Sequence, residues 1–185
     1  HVYADRRLQE ILEFQLKLMN SRLGFALVFH HLSREEEVVY EDKAVTVTSF
    51  PLLHRYDAPV CGFLFRERER ERTIRKDMAL AWDVPIAFMQ YLKKGADFVT
   101  PEGQVIANDR LTIAAPPSRS YAYMTDTLFR ERFAAYVKGV DLLYHEATYD
   151  CSLEQLAKET YHSTAEQAAR MALLASAKKL LLGHF

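Results

Sequence analysis

The stretch that most constrains this chain is its last third, from Val140 to Phe185. Two short apolar runs there each end in titratable residues. Residues 140–144 lead into His145-Glu146, and residues 179–183 lead into His184. Runs of that length read as buried strands. Between them, Ser163-Thr164-Ala165-Glu166 has the Ser-x-x-Glu spacing of a capping box, which makes Ser163 the expected N-cap of a helix and Glu166 its partner. Ala165, Ala168, Ala172 and Ala175 follow at helical spacing, and side chains that small let a helix lie close against a sheet. Strand, polar tip, helix, strand, polar tip: the order describes an α/β sheet with its chemistry along one rim.

Composition narrows the setting. The 185 residues suffice for one domain with a sizeable core, and 49% hydrophobic with 26% charged residues is ordinary for a globular chain. No apolar run reaches the length of a membrane span, so no membrane partner is expected. The first helical segment is charged throughout, unlike the apolar centre of a signal peptide. Cys61 and Cys151 lack metal-type spacing and point to a reduced, cytoplasmic setting. A net charge of −1 gives no argument for nucleic acid, so an RNA ligand would have to be held by local basic clusters.

The remainder of the chain reads as alternating elements. Val2-Tyr3 belongs to a strand. Asp5 caps a helix to about Asn20, with Leu8, Ile11, Leu12, Gln15, Leu16 and Met19 on one face. Residues 25–32, 38–41, 44–52 and 60–65 read as strands. Residues 66–72 alternate Arg and Glu strictly. Such a run reads first as a solvated edge and second, with Arg75 and Lys76 added, as a basic edge near RNA. Helical patterns over 78–82 and 86–94 are interrupted by Pro85, and residues 100–104 carry a hairpin signal. Residues 120–124 form a strand, and residues 128–138 a helix closed by Gly139. No linker divides the chain.

Four strand tips therefore carry His54, Asp126, His145-Glu146 and His184. A single strand-tip histidine is more often a satisfied structural residue than a ligand. Imidazole and carboxylate together suit zinc, manganese or iron, and an Asp can bridge two ions. His30 and His31 are adjacent on a strand, point to opposite faces and read as structural. His162 directly precedes a helix start, where free N–H groups and the dipole favour an anion such as phosphate. A histidine there can serve as a general acid, with Glu146 the nearest carboxylate to orient it. The bare position fits an exposed residue before a helix equally well.

Taken in order, Tyr123-Met124-Thr125-Asp126-Thr127, Asp141-Leu142-Leu143-Tyr144-His145-Glu146-Ala147-Thr148, His162-Ser163-Thr164-Ala165 and Leu181-Leu182-Gly183-His184-Phe185 closely resemble ribonuclease Z. That tRNA 3′-processing endonuclease family lies within the metallo-β-lactamase superfamily. The resemblance implies an α/β fold, a metallo-β-lactamase-type αββα sandwich. The chain would be one single-domain portion, present without its amino-terminal part. The family's His-x-His-x-Asp-His is absent from these residues, as is the Ser-x-Arg-Tyr that usually follows the last His, and the expectation is a carboxyl-side portion inactive alone.

By position, the resemblance makes His54 a ligand of a first metal, Asp126 the bridging carboxylate and His184 a ligand of a second metal. His145 is not a ligand in that pattern. Glu146 and His162 become the pair that delivers a proton to the leaving oxygen. Ser163, Arg75 and Lys76 are the expected substrate contacts, the last two in a segment, 66–104, that falls where the family places its tRNA-gripping arm. The Gly-Pro pair usual there is replaced by Ile86-Ala87. The implied function is two-metal hydrolysis of a phosphodiester in precursor tRNA, with two zinc ions about 3.5–4 Å apart, or manganese in their place, in a cytoplasmic homodimer. The rivals are a phosphodiesterase or sulfatase of the same fold acting on small substrates, and a non-catalytic scaffold.

Overall fold

The computed structural model describes residues 1–55 and 59–185. They divide into two compact units, one of residues 1–67 with 119–185, the other of residues 68–118. In the first unit, β1 (Val2–Ala4) and β2 (Phe29–His31) pair in parallel on either side of α1 (Arg6–Leu18). The Asp5 side chain caps α1 by accepting the Arg7 N–H at 3.0 Å. The strand expected over 25–32 shrinks to β2 because its partner β1 is only three residues long and matches it one to one. His30 stacks on Tyr3 while His31 reaches Gln9, so the two histidines do part to different partners. Then come β3 (Glu37–Glu41), β4 (Val45–Pro51) and β5 (Cys61–Glu67).

The second unit contains β6 (Thr73–Ile74), α2 (Lys76–Ala81), a 3-10 turn at Ile86–Phe88 continuing into α3 (Met89–Lys93), β7 (Phe98–Val99), β8 (Val105–Ile106), α4 (Asn108–Leu111) and β9 (Thr112–Ile113). Pro85 separates α2 from α3 as a residue lacking an N–H should. β7 and β8 make the expected hairpin, and Gly103 supplies the left-handed turn residue at φ +85°. A small core of Ala79, Val84, Leu92, Phe98, Ile106 and Leu111 closes the unit. Buried Asn108 ties it together by donating to the carbonyls of Leu92 and Ala96 at 2.9 and 2.7 Å. Arg75 and Lys76 are exposed on this unit.

The chain returns to the first unit with β10 (Ser120–Met124), a 3-10 helix at Glu131–Ala135, β11 (Leu142–Glu146), a 3-10 turn at Cys151–Leu153, α5 (Glu154–Thr160), α6 (Ala165–Leu174) and β12 (Leu180–Gly183). The helix expected over 128–138 is thus a shorter 3-10 helix. Its bonds run three residues back, Phe133 N–H to Arg130 and Tyr136 N–H to Phe133, while Phe133, Ala134 and Val137 are driven into the core. Gly139 ends the segment at φ +70°.

Strand direction places the chemistry. The six-stranded sheet runs β12-β11-β10-β5-β4-β3. β10, β11 and β12 are parallel, β5 opposes β10, and β4 opposes β5. Two reversals restore the direction, so β4 runs with β10 to β12, and all four carboxyl ends open on one rim. One sheet face contributes Phe50, Leu64, Ala122, Met124 and Leu143 to the core, which Met171 and Ala175 close from α6 and just beyond it. Ala168 and Ala175 are fully buried, as the alanine stripe requires.

At the opposite edge Asp141 accepts from Lys178 at 2.6 Å and from the Ser120 hydroxyl and amide at 2.8 and 2.7 Å. The Lys178 ammonium first, then those two donors, hold its carboxyl down to about 2. A depressed carboxyl stabilises the fold above its unfolded value of about 3.9, and that contribution is lost as pH falls through the folded value. Acid unfolding followed by circular dichroism between pH 4 and 2 should therefore be steeper in the wild type than in Asp141→Asn; equal slopes would contradict the linkage.

Candidate functional site

The four parallel strand ends deliver His54, Asp126, Glu146 and His184 to the same rim, and the turn between α5 and α6 adds His162. The imidazoles of His54 and His162 meet edge-on at 4.8 Å between ring centres, and those of His162 and His184 stack at 5.4 Å. His184 Nε2 lies 3.3 Å from Asp126 Oδ1. Donor atoms of His54, Asp126 and His162 fall within 4.8 Å of one another, and so do those of Glu146, His162 and His184.

Glu146 is the fixed point. Its side chain is fully buried, which for a carboxylate is tolerable only when donors replace water. It has four: the Thr127 N–H, the Ser163 N–H at 3.0 Å, the Thr148 hydroxyl at 2.7 Å and His162 Nδ1 at 3.1 Å. Each donor pulls in a different part of the rim. Thr127 follows Asp126 and also receives the Leu53 N–H on its hydroxyl at 3.3 Å, which sets His54 beside Asp126. Backbone bonds from Tyr149 N–H to Ser163 and from Ala165 N–H to Tyr149 zip the segment after β11 onto the start of α6.

The backbone bends hard to achieve this. Asp126, Tyr161 and His184 take left-handed φ values of 49°, 62° and 60°, unusual for residues with side chains. Such positions cost of order 1–3 kcal/mol each and cluster where a site is over-determined by its surroundings. Tyr161 ends α5 in this conformation and presents its carbonyl to His54 Nδ1 at 3.2 Å. Gly183 makes a close approach of another kind. The Tyr144 ring lies where a Cβ would stand, so a larger residue at this point of β12 would have to displace that ring.

This arrangement fits a metal. A carbonyl can only accept, so His54 Nδ1 carries the proton and leaves Nε2 as a bare lone pair. His162 Nδ1 likewise faces a carboxylate. Histidines held through Nδ1 by an oxygen, with Nε2 free beside a carboxylate, are the usual ligand arrangement for zinc-type ions.

The three expected substrate contacts are Ser163, Arg75 and Lys76. Ser163 is not the N-cap of α6 and does not reach the surface. Thr164 caps the helix and exchanges bonds with Gln167 at 3.2 and 3.0 Å, one position later than expected, because the Ser163 hydroxyl is drawn inward to the Thr127 carbonyl at 2.6 Å. The Ser163 side chain is fully buried, and its amide donates to Glu146 at 3.0 Å. Arg75 and Lys76 lie on the second unit. His145, the other strand-tip imidazole, points into the core beside Leu143. Its Nδ1 is 2.7 Å from the Glu146 carbonyl, and burial pushes the ring below its ordinary protonation range despite that bond. Sequence reasoning missed Thr148, whose hydroxyl touches Glu146 and His184 at 2.7 and 2.9 Å, and the Tyr161 carbonyl. A polar residue two places past the Glu146 strand tip was a readable signal for the first; a backbone carbonyl offers none.

The fold is of the metallo-β-lactamase type. Human tRNase Z, short form, superposes over 99% of this chain and 59% of its own, with a TM-score of 0.64 and 22% identity. The metallo-β-lactamase fold protein YhfI of Bacillus subtilis superposes with a TM-score of 0.55 and 15% identity, over 98% of this chain and 50% of its own. In sequence the chain is similar throughout to ribonuclease Z. It is 47% identical to the ribonuclease Z of Bacteroides fragilis and 49% identical to that of Parabacteroides distasonis, across all of this chain and 60% of each relative. The chain thus spans about three-fifths of the length of these relatives. No family model matches it.

The buried role of Ser163 is testable. Ser163→Ala strands the Thr127 carbonyl and should destabilise the chain by about 1–3 kcal/mol in urea unfolding. An unchanged midpoint would place its hydroxyl outside the core network.

Proposed function

We propose that this chain carries the catalytic rim of an endoribonuclease that removes the 3′ trailer of precursor tRNA by hydrolysing a phosphodiester bond. The observation that carries the reading is the contact of His162 with a carboxylate that is itself fully buried and fully donated to, in a chain similar throughout to ribonuclease Z. His54, Asp126 and His184 would hold zinc, with manganese as the alternative ion. When bound, the ions supply Lewis-acid activation of water and offset charge at the phosphate.

The protein's own residues handle the leaving group. Water adds to phosphorus as the bond to the tRNA 3′ oxygen breaks, and that oxygen must gain a proton to leave as a hydroxyl. His162 donates it from Nε2, since Nδ1 is committed to Glu146, and histidine exchanges protons near neutral pH. Glu146 fixes the ring through its contact with Nδ1 at 3.1 Å. The second unit, with exposed Arg75 and Lys76, serves as the tRNA-gripping arm in a cytoplasmic homodimer.

In the whole-length protein, His162→Ala should cut turnover on a precursor tRNA roughly 10²–10⁴-fold with zinc content unchanged. Glu146→Ala should cost less, and the double variant should be little worse than His162→Ala, because the two act as one unit. Loss of zinc in His162→Ala with turnover preserved in the metal-loaded remainder would make His162 a ligand and overturn the assignment.

A further inference from the structure

Thr148 follows the tip of β11, and its one hydroxyl stands between the two halves of the rim. Oγ1 is 2.7 Å from Glu146 Oε2, 2.9 Å from His184 Nδ1, 2.9 Å from the His184 carbonyl and 3.4 Å from His162 Nδ1. A hydroxyl has one proton to give and two lone pairs with which to accept. Where that proton goes decides which tautomer His184 adopts.

Donation to the His184 carbonyl would leave the same tautomer as donation to Glu146, so two arrangements compete over the tautomer. In one, Thr148 donates to Glu146 and accepts from His184 Nδ1–H, which leaves His184 Nε2 bare. In the other, Thr148 donates to His184 Nδ1, and Nε2–H donates to Asp126 Oδ1 at 3.3 Å. Each contains one bond to a carboxylate, so burial decides between them. The Glu146 side chain is fully buried, whereas those of His184 and Asp126 are 41% and 39% exposed. A charge-assisted bond lost inside costs far more than one that water can replace, and the Thr148–Glu146 bond is also the shorter. The first arrangement wins.

We infer that Thr148 is a positioning residue that holds His184 in its Nδ1–H form, leaving Nε2 bare toward Asp126 and coupling the orientation of that histidine to the carboxylate that orients His162. Two acceptors 3.3 Å apart then face each other, which is what a cation between them requires. All three rim imidazoles are thereby held through Nδ1, by the Tyr161 carbonyl, Glu146 and Thr148. The chemical meaning for catalysis rests on the nuclease reading above, but the tautomer does not.

The test is long-range ¹H–¹⁵N NMR of the histidine rings in the metal-free 185-residue chain at a pH where His184 is neutral, with His184 assigned by its loss in His184→Asn. The wild type should show a bare Nε2 and protonated Nδ1. Thr148→Val, which keeps the shape and removes the hydroxyl, should shift His184 toward the Nε2–H form, and Thr148→Ser should restore the wild-type pattern. An Nε2–H tautomer in the wild type, or an unchanged tautomer in a folded Thr148→Val, would overturn the inference. A whole-length protein that never cleaves precursor tRNA, beside a 185-residue chain that shows the Thr148-dependent tautomer, would refute the nuclease reading and leave this one standing.

Discussion

Everything at the rim hangs on one buried carboxylate. Glu146 gives up water entirely and is compensated by two backbone amides, one hydroxyl and one imidazole. A buried charge tolerates no missing donor, so the segments that supply those donors cannot drift independently. The consequence is geometric: the loop after β10, the loop after β11 and the turn before α6 are locked to a common point, and the histidines and aspartate they carry inherit that precision. The three left-handed residues at the rim are held against their preference by the same network.

The sheet prepares this. Because β4, β10, β11 and β12 run the same way, the sites that follow them open on one edge without long excursions. The apolar packing of α6 against the other end of those strands fixes the distance of His162 from Glu146. Ala168 and Ala175, buried without side-chain bulk, let that helix come close enough for Ser163 to reach Thr127. Small residues in the core thus have their effect at the site.

Much of this was legible in the sequence because it depends on pattern. Apolar runs ending in His or Glu place strand tips, and alternating strands and a helical alanine stripe imply the layers. What the sequence hid was competition for hydrogen bonds. Ser163 and Thr164 are equally good caps in isolation, and only the tertiary demand of the Thr127 carbonyl hands the cap to Thr164. The 128–138 segment has helical periodicity, yet its buried Phe133, Ala134 and Val137 are accommodated by a tighter turn at 131–135. Tyr161 contributes only backbone, which no residue type announces.

The central claim is that His162, oriented by Glu146, protonates the oxygen that leaves when the phosphodiester breaks. The most direct measurement replaces that oxygen with sulfur, since a thiolate departs without a proton. With the whole-length protein and a precursor tRNA carrying a 3′-bridging sulfur at the cleavage point, the roughly 10²–10⁴-fold deficit of His162→Ala should largely vanish while it persists on the natural linkage. The same deficit on both linkages would contradict the account, because His162 would then be acting somewhere other than on the leaving group.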